Sequence, residues 1–162
     1  MSKTYLLLGG NIGDTKAIFE ETLQSIADLC GKIIQKSGVY MSEAWGFETE
    51  NIFLNQVLLL ETELKPEHLL NTLLTIEQEM GRVRTNETGY TSRVIDIDIL
   101  FYDSLIIKKD KLTIPHPLLH KRRFTLQPLV EIAANYVHPI MLKSSKELLD
   151  ECEDNLSVKR AD

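Results

Sequence analysis

The chain has 162 residues, 43% of them hydrophobic, and a formal net charge of -6 at pH 7. That length and apolar content suit one domain with its own core, so residues 1–162 are read as a single domain. No run of about 18 apolar residues offers a membrane span. The acidic balance speaks against binding nucleic acid or an anionic membrane, and Met1 to Tyr5 lacks the halves of a signal peptide; a cytoplasmic chain is expected.

Tyr5 to Leu8 is an apolar run closed by Gly9 and Gly10, which predicts a buried strand and a turn. Asp14 can cap a helix whose apolar positions are Phe19, Leu23, Ile26 and Cys30, with Gly31 as its stop. Ile33 to Met41 is a looser strand, Ser42 to Ile52 an irregular loop, and Phe53 to Thr62 a stronger strand. Pro66 fits the first turn of a helix with Leu69, Leu73, Ile76 and Met80 on its apolar stripe, ended by Gly81. Arg82 to Ser92 is polar and predicts a mobile loop of about a dozen residues, a length often tied to function. Arg93 to Tyr102 returns to strand character, with Leu105 to Ile107 as its hairpin partner after an Asp103-Ser104 turn. Pro115-His116-Pro117 is extended, Leu118 to Arg123 is a short helical stretch, and Leu126 to Ala134 is a further helix. The last residues are weakly helical around Lys146 to Cys152, with a polar tail expected to fray. This order predicts an α+β fold of ferredoxin-like topology, an antiparallel sheet with helices on one face.

Cys30 and Cys152 match no metal or disulfide pattern and read as free thiols. The sharpest signal is RVIDIDILFY. Alternation along a strand points Asp96 and Asp98 the same way, their α-carbons about 6.5–7 Å apart, within reach of one or two divalent cations. Two adjacent acids in an apolar strand need a cation or a protonated member. On the strand alone, a water-facing sheet or pairing with arginines is an equally good reading. Oxygen ligands with room for water favour magnesium, which in such sites also binds substrate phosphates, so a nucleotide is implied. Gly9-Gly10-Asn11-Ile12-Gly13-Asp14 lacks the lysine of a P-loop, leaving phosphates to side chains. Five of the six arginines, Arg82, Arg84, Arg93, Arg122 and Arg123, fall between positions 82 and 123, as a local cationic pocket or as solvated surface. Phe53 and Asn55 share a strand face that suits a flat heterocycle, although a core phenylalanine beside an edge asparagine explains them too. His116 is either a phosphate ligand or a loop-stabilising histidine. Glu77 reads as a buried link to an arginine or as a plain helix-face acid.

Taken together, LLLGGNIGD, FLNQVLLLET, IEQEMGRVR, SRVIDIDILFY and IPHPLLHKRRFTLQPLVEIA resemble the 6-hydroxymethyl-7,8-dihydropterin pyrophosphokinases of folate biosynthesis, over Tyr5 to Pro139. The resemblance implies a ferredoxin-like α/β sandwich with mobile catalytic loops, and transfer of the β,γ-pyrophosphoryl group of ATP to a pterin alcohol with release of AMP. It assigns two magnesium ions to Asp96 and Asp98, and gives Arg82 and Arg93 the support of the triphosphate in transfer. Arg84, His116 and Arg122 join the ATP side, with Ile99, Leu112 and Thr113 at the adenosine. Phe53 and Phe124 would sandwich the pterin, Asn55 would read its edge, and Ser42, Glu43 and Trp45 would line its loop. SEAWG departs from the family's TEPWG or TPPLG, and Tyr90 stands where other members have tryptophan. A monomer or weak homodimer is expected. The rival classes are a ligand-binding ferredoxin-like module, which needs no aspartate pair with arginines, and a magnesium phosphohydrolase, which needs no aromatic pocket.

Overall fold

Three consecutive leucines of the first strand divide between two layers: Leu6 and Leu8 are buried in one apolar cluster and Leu7 in another. A strand buried on both faces must lie inside a sheet covered on both sides. The structure, a computed structural model, describes residues 1–11, 14–42, 52–81 and 94–161. Its elements are β1 (Ser2–Gly10), α1 (Thr15–Leu29), β2 (Lys32–Lys36), β3 (Tyr40–Ser42), β4 (Phe53–Thr62), α2 (Pro66–Glu79) and β5 (Asp96–Tyr102). After them come β6 (Ile107–Lys109), β7 (Leu112–Ile114), a 3-10 turn (Leu119–Lys121), α3 (Arg123–Ala133), α4 (Ser145–Asp150) and β8 (Val158–Arg160). The main sheet runs β5-β1-β4-β3-β8, with β2 also on β4, and its pairings are antiparallel. This is the expected α+β sandwich.

The local signals explain the element ends. The Asp14 side chain accepts the Ala17 N–H at 3.3 Å and caps α1. Gly31 closes that helix at φ 155°, where a Cβ would meet the Glu61 carbonyl oxygen at 2.1 Å; no other residue fits there. Pro66 opens α2.

Six details differ from the sequence expectation. Helices cover both faces: Phe19, Ile26, Leu69, Leu73 and Ile76 pack on Leu6, Leu8, Leu58 and Leu60, while Leu126, Leu129, Ala133 and Leu148 pack on Leu7, Val57 and Leu100. The looser strand is two, β2 and β3, separated at Ser37 to Val39, where the Ser37 Oγ accepts the Val57 N–H. The hairpin partner of β5 is absent from Leu105 and Ile106; Ile107 begins a separate β6–β7 hairpin. α3 begins at Arg123, three residues early, because Asp154 supplies its missing cap. The tail does not fray: β8 joins the sheet at β3. The irregular loop expected from Ser42 to Ile52 starts one residue late, since Ser42 belongs to β3, and its interior over 43–51 lies outside the described residues, as does the whole mobile loop expected over 82–92.

Candidate active site

Among the described residues β5 is an edge strand, paired through β1 alone. Alternation sends Ile97 and Ile99 into the core beneath α1 and α2, so Asp96 and Asp98 share the opposite face, the one that α3 covers. A register shift between Tyr5 and Leu6 then places both Leu100 and Phe101 in the α3 layer. Asp96 lies opposite Gly9, Gly9 opposite Asn55, and Asn55 opposite Tyr40. Residues paired across antiparallel strands share a face, which makes this one row. Gly9 leaves the middle of the row open: a Cβ there would stand 3.1 Å from the Asn55 Oδ1. Asn55 is buried while Asp98 keeps its side chain 40% exposed, so the acids can reach solvent or a ligand.

His116 stands over Asp98, with Nε2 at 4.0 Å from Oδ2. Its Nδ1 accepts the Leu118 N–H at 3.2 Å, which leaves the ring proton on Nε2, toward the carboxylate. Burial, aided by the Arg122 guanidinium, pushes the His116 pKa down to about 4. At neutral pH the ring is therefore an uncharged donor. Arg122 is half-buried; burial lowers its pKa and the Asp98 carboxylate works against that shift. Its guanidinium carbon sits 5.5 Å from the Phe124 ring centroid. Asp98, His116, Arg122 and Phe124 thus form one neighbourhood beside the row.

A shallow pocket of about 200 Å³ opens at the outer edge of β5, lined by Ile97, Asp98, Ile99, Leu112, Thr113 and His116 among others. The edge backbone is partly satisfied from outside the sheet: Glu77 Oε1 accepts the Ile97 N–H at 2.7 Å, and His116 N–H donates to the Leu100 carbonyl at 3.0 Å. Glu77 is 4% exposed, and this main-chain link is one that neither sequence reading of it named. Leu70, Lys111 and Pro117 also line the pocket; the basic charge of Lys111 beside Leu112 and Thr113 was the signal for it. Phe53, half-buried, pairs with Ser42 across β4 and β3. The buried Ser42 Oγ has no hydrogen-bond partner among the described residues. Arg123 leaves the cationic group: its Nε donates to the Asp154 carbonyl at 2.7 Å and its Nη2 to that of Cys152. Glu43, Trp45, Arg82, Arg84 and Arg93 lie outside the described residues.

Among the described residues no group of three or more His, Cys, Asp or Glu side chains gathers to hold a metal. Two carboxylates alone fit a cation that draws its other ligands from phosphates and water, which is the habit of magnesium rather than zinc. A neutral imidazole donor and a guanidinium beside them suit phosphate oxygens. The described residues hold no helix long and apolar enough to cross a membrane.

The family model described as 7,8-dihydro-6-hydroxymethylpterin-pyrophosphokinase matches residues 5–134. A 2-amino-4-hydroxy-6-hydroxymethyldihydropteridine pyrophosphokinase of Aquifex aeolicus is 41% identical over 151 residues, 93% of this chain and 92% of that one. The folic acid synthesis protein FOL1 of Dictyostelium discoideum is 42% identical over 85% of this chain, which spans only 20% of FOL1. Among solved structures, Plasmodium falciparum HPPK-DHPS superposes with a TM-score of 0.75 at 17% identity, over 93% of this chain and 44% of that one.

Proposed function

The chain belongs to the 7,8-dihydro-6-hydroxymethylpterin-pyrophosphokinase family, and from that premise we propose which of its residues carry the reaction. The reaction is transfer of the β,γ-pyrophosphoryl group of ATP to 6-hydroxymethyl-7,8-dihydropterin, releasing AMP, in folate biosynthesis. Asp96 and Asp98 would hold two magnesium ions, whose chemistry is to neutralise charge on the phosphates during transfer. His116 donates its Nε2 proton in a hydrogen bond to a phosphate oxygen, and Arg122 adds a fixed positive charge. Arg82 and Arg93 support the charge that develops in the transition state, with Arg84 assisting. The outer edge of β5 with Ile99, Leu112 and Thr113 receives the adenosine. Phe53 and Phe124 hold the pterin ring between them, Asn55 reads its edge, and Ser42, Glu43 and Trp45 close its loop. No protein nucleophile is needed, because positioning and charge neutralisation carry this chemistry. The protein works in the cytoplasm as a monomer or weak homodimer.

The observation that carries this reading is the single face shared by Asp96, Asp98 and Asn55, with Gly9 leaving space between acid and amide. AMP release from ATP and magnesium should depend on added pterin. Asp96→Asn or Asp98→Asn should cut turnover at least about a hundredfold with the melting temperature kept. Normal turnover by either variant refutes the metal assignment.

A further inference from the structure

The segment after α4 binds two parts of the pterin side at once. Near its start, Asp154 Oδ2 accepts the Arg123 N–H at 3.1 Å while Oδ1 accepts the Leu156 N–H at 3.0 Å. Arg122 gives α3 no side-chain cap, so Asp154 caps that helix from 31 residues away and sets a negative charge at its positive end. Phe124 is the next residue. Arg123 returns two bonds to the main chain of the same segment. At its far end the segment becomes β8, with Val158 opposite Ser42 and Arg160 opposite Tyr40. Arg160 Nη1 lies 3.4 Å from Glu131 Oε1 on α3, and its guanidinium occupies the space where a Gly38 Cβ would stand. Glu131 completes the tie, accepting the Tyr40 hydroxyl at 2.6 Å and the Gly38 N–H at 3.0 Å. Ala161 N–H donates to Val39 and the Ala161 carbonyl accepts Lys16.

We propose that residues 152–161 are a strap that sets the separation of α3 from β3, with Asp154, Arg160 and Glu131 as positioning residues for the pterin. This rests on the assignment of Phe124, Phe53 and Ser42 to the pterin pocket. The strap lies beyond residue 134, where the family match ends. None of its residues touches substrate; each acts through the elements that do. Through Arg160 and Glu131 its effect belongs to the pterin, because the adenosine pocket is built on β5 and β7, at the opposite edge of the sheet; Asp154, bonded beside Arg122, reaches the phosphate side as well.

The test is a set of full-length variants, Asp154→Ala, Arg160→Ala and Tyr40→Phe, with Asp154→Asn and Arg160→Lys as conservative partners and Asn55→Ala as a control. The KM for pterin should rise roughly threefold to tenfold in the first three, with KM for ATP unchanged in Arg160→Ala and Tyr40→Phe. The conservative partners should recover most of the loss. If Asn55→Ala raises the pterin KM and the strap variants change only the melting temperature, the strap is merely structural and the proposal fails. If Asn55→Ala leaves the pterin KM unchanged, the pocket assignment itself is wrong and the strap falls with it.

Discussion

A side chain's task here is set by what its second polar atom touches, a feature that sequence spacing does not carry. The shared face of Asp96 and Asp98 was legible, since alternation needs only a strand. Cys30 was legible as core; its burial pushes the thiol pKa up to about 11, so it stays unreactive. His138 was not legible. It is 4% exposed, and its Nδ1 accepts the N–H groups of Ile140 and Met141, each at 3.1 Å. Charging the ring would put a proton between two donors. Burial, and then the neighbouring His120, hold its pKa below the usual 6.5. A folded pKa below the unfolded one means that the stabilisation is complete above about pH 6.5 and is lost as pH falls below it. His138→Asn keeps an oxygen acceptor for the same two amides and removes the titration. Thermal melts between about pH 7 and pH 5 should therefore show a smaller fall in melting temperature for His138→Asn than for the parent. Parallel profiles would remove His138 from the acid response; the lowered pKa values of His116 and His120 supply the part that remains.

Elements with strong apolar periodicity were legible from the chain, and those that borrow their stability from a distant segment were not. β4 and α2 match their expected limits at Phe53–Thr62 and from Pro66. β8 is three residues long, Val158–Arg160, with two of them exposed, so no pattern announces it; its stability comes from β3 and Glu131. The early start of α3 has the same origin in Asp154. β5 is an intermediate case: the alternation holds to Leu100, after which the bulge against β1 puts Phe101 on the same side. Its outer edge is tied to α2 by the bond from the Ile97 N–H to the buried Glu77 carboxylate. Glu77→Ala should leave that amide unsatisfied and cost about 1–3 kcal/mol, whereas Glu77→Gln keeps an acceptor and should lose much less. Because Asp96 and Asp98 flank Ile97, the alanine variant should also weaken ATP turnover more than the glutamine variant does. Denaturant unfolding and initial rates check both, and equal losses for the two variants would count against the hydrogen bond as the cause.

In the whole molecule, helices cover the sheet on both faces, and under the proposed assignments the two layers divide the labour of the site, which the expectation of helices on one face concealed. The apolar runs of β1, β4 and β5 carried the clue: continuous burial, as at Val57 to Leu60, belongs to a strand covered twice. The α1/α2 layer backs the pocket at the outer edge of β5, proposed for adenosine, through Leu70 and Glu77, and the α3/α4 layer carries Phe124 and the strap. Leu73 in α2 and Leu129 in α3 are both buried to within 1% and offer matched cavities on the two sides. Each Leu→Ala change should cost about 2–5 kcal/mol of stability. Their kinetic effects should separate: below both melting transitions, Leu129→Ala loosens α3 and should raise the KM for pterin, while Leu73→Ala should leave it near the parent value. Steady-state kinetics at a temperature where both variants are folded decides the matter. A pterin KM raised equally by both would mean that the sheet transmits packing defects from one layer to the other, and that the pterin side is not set by α3 alone.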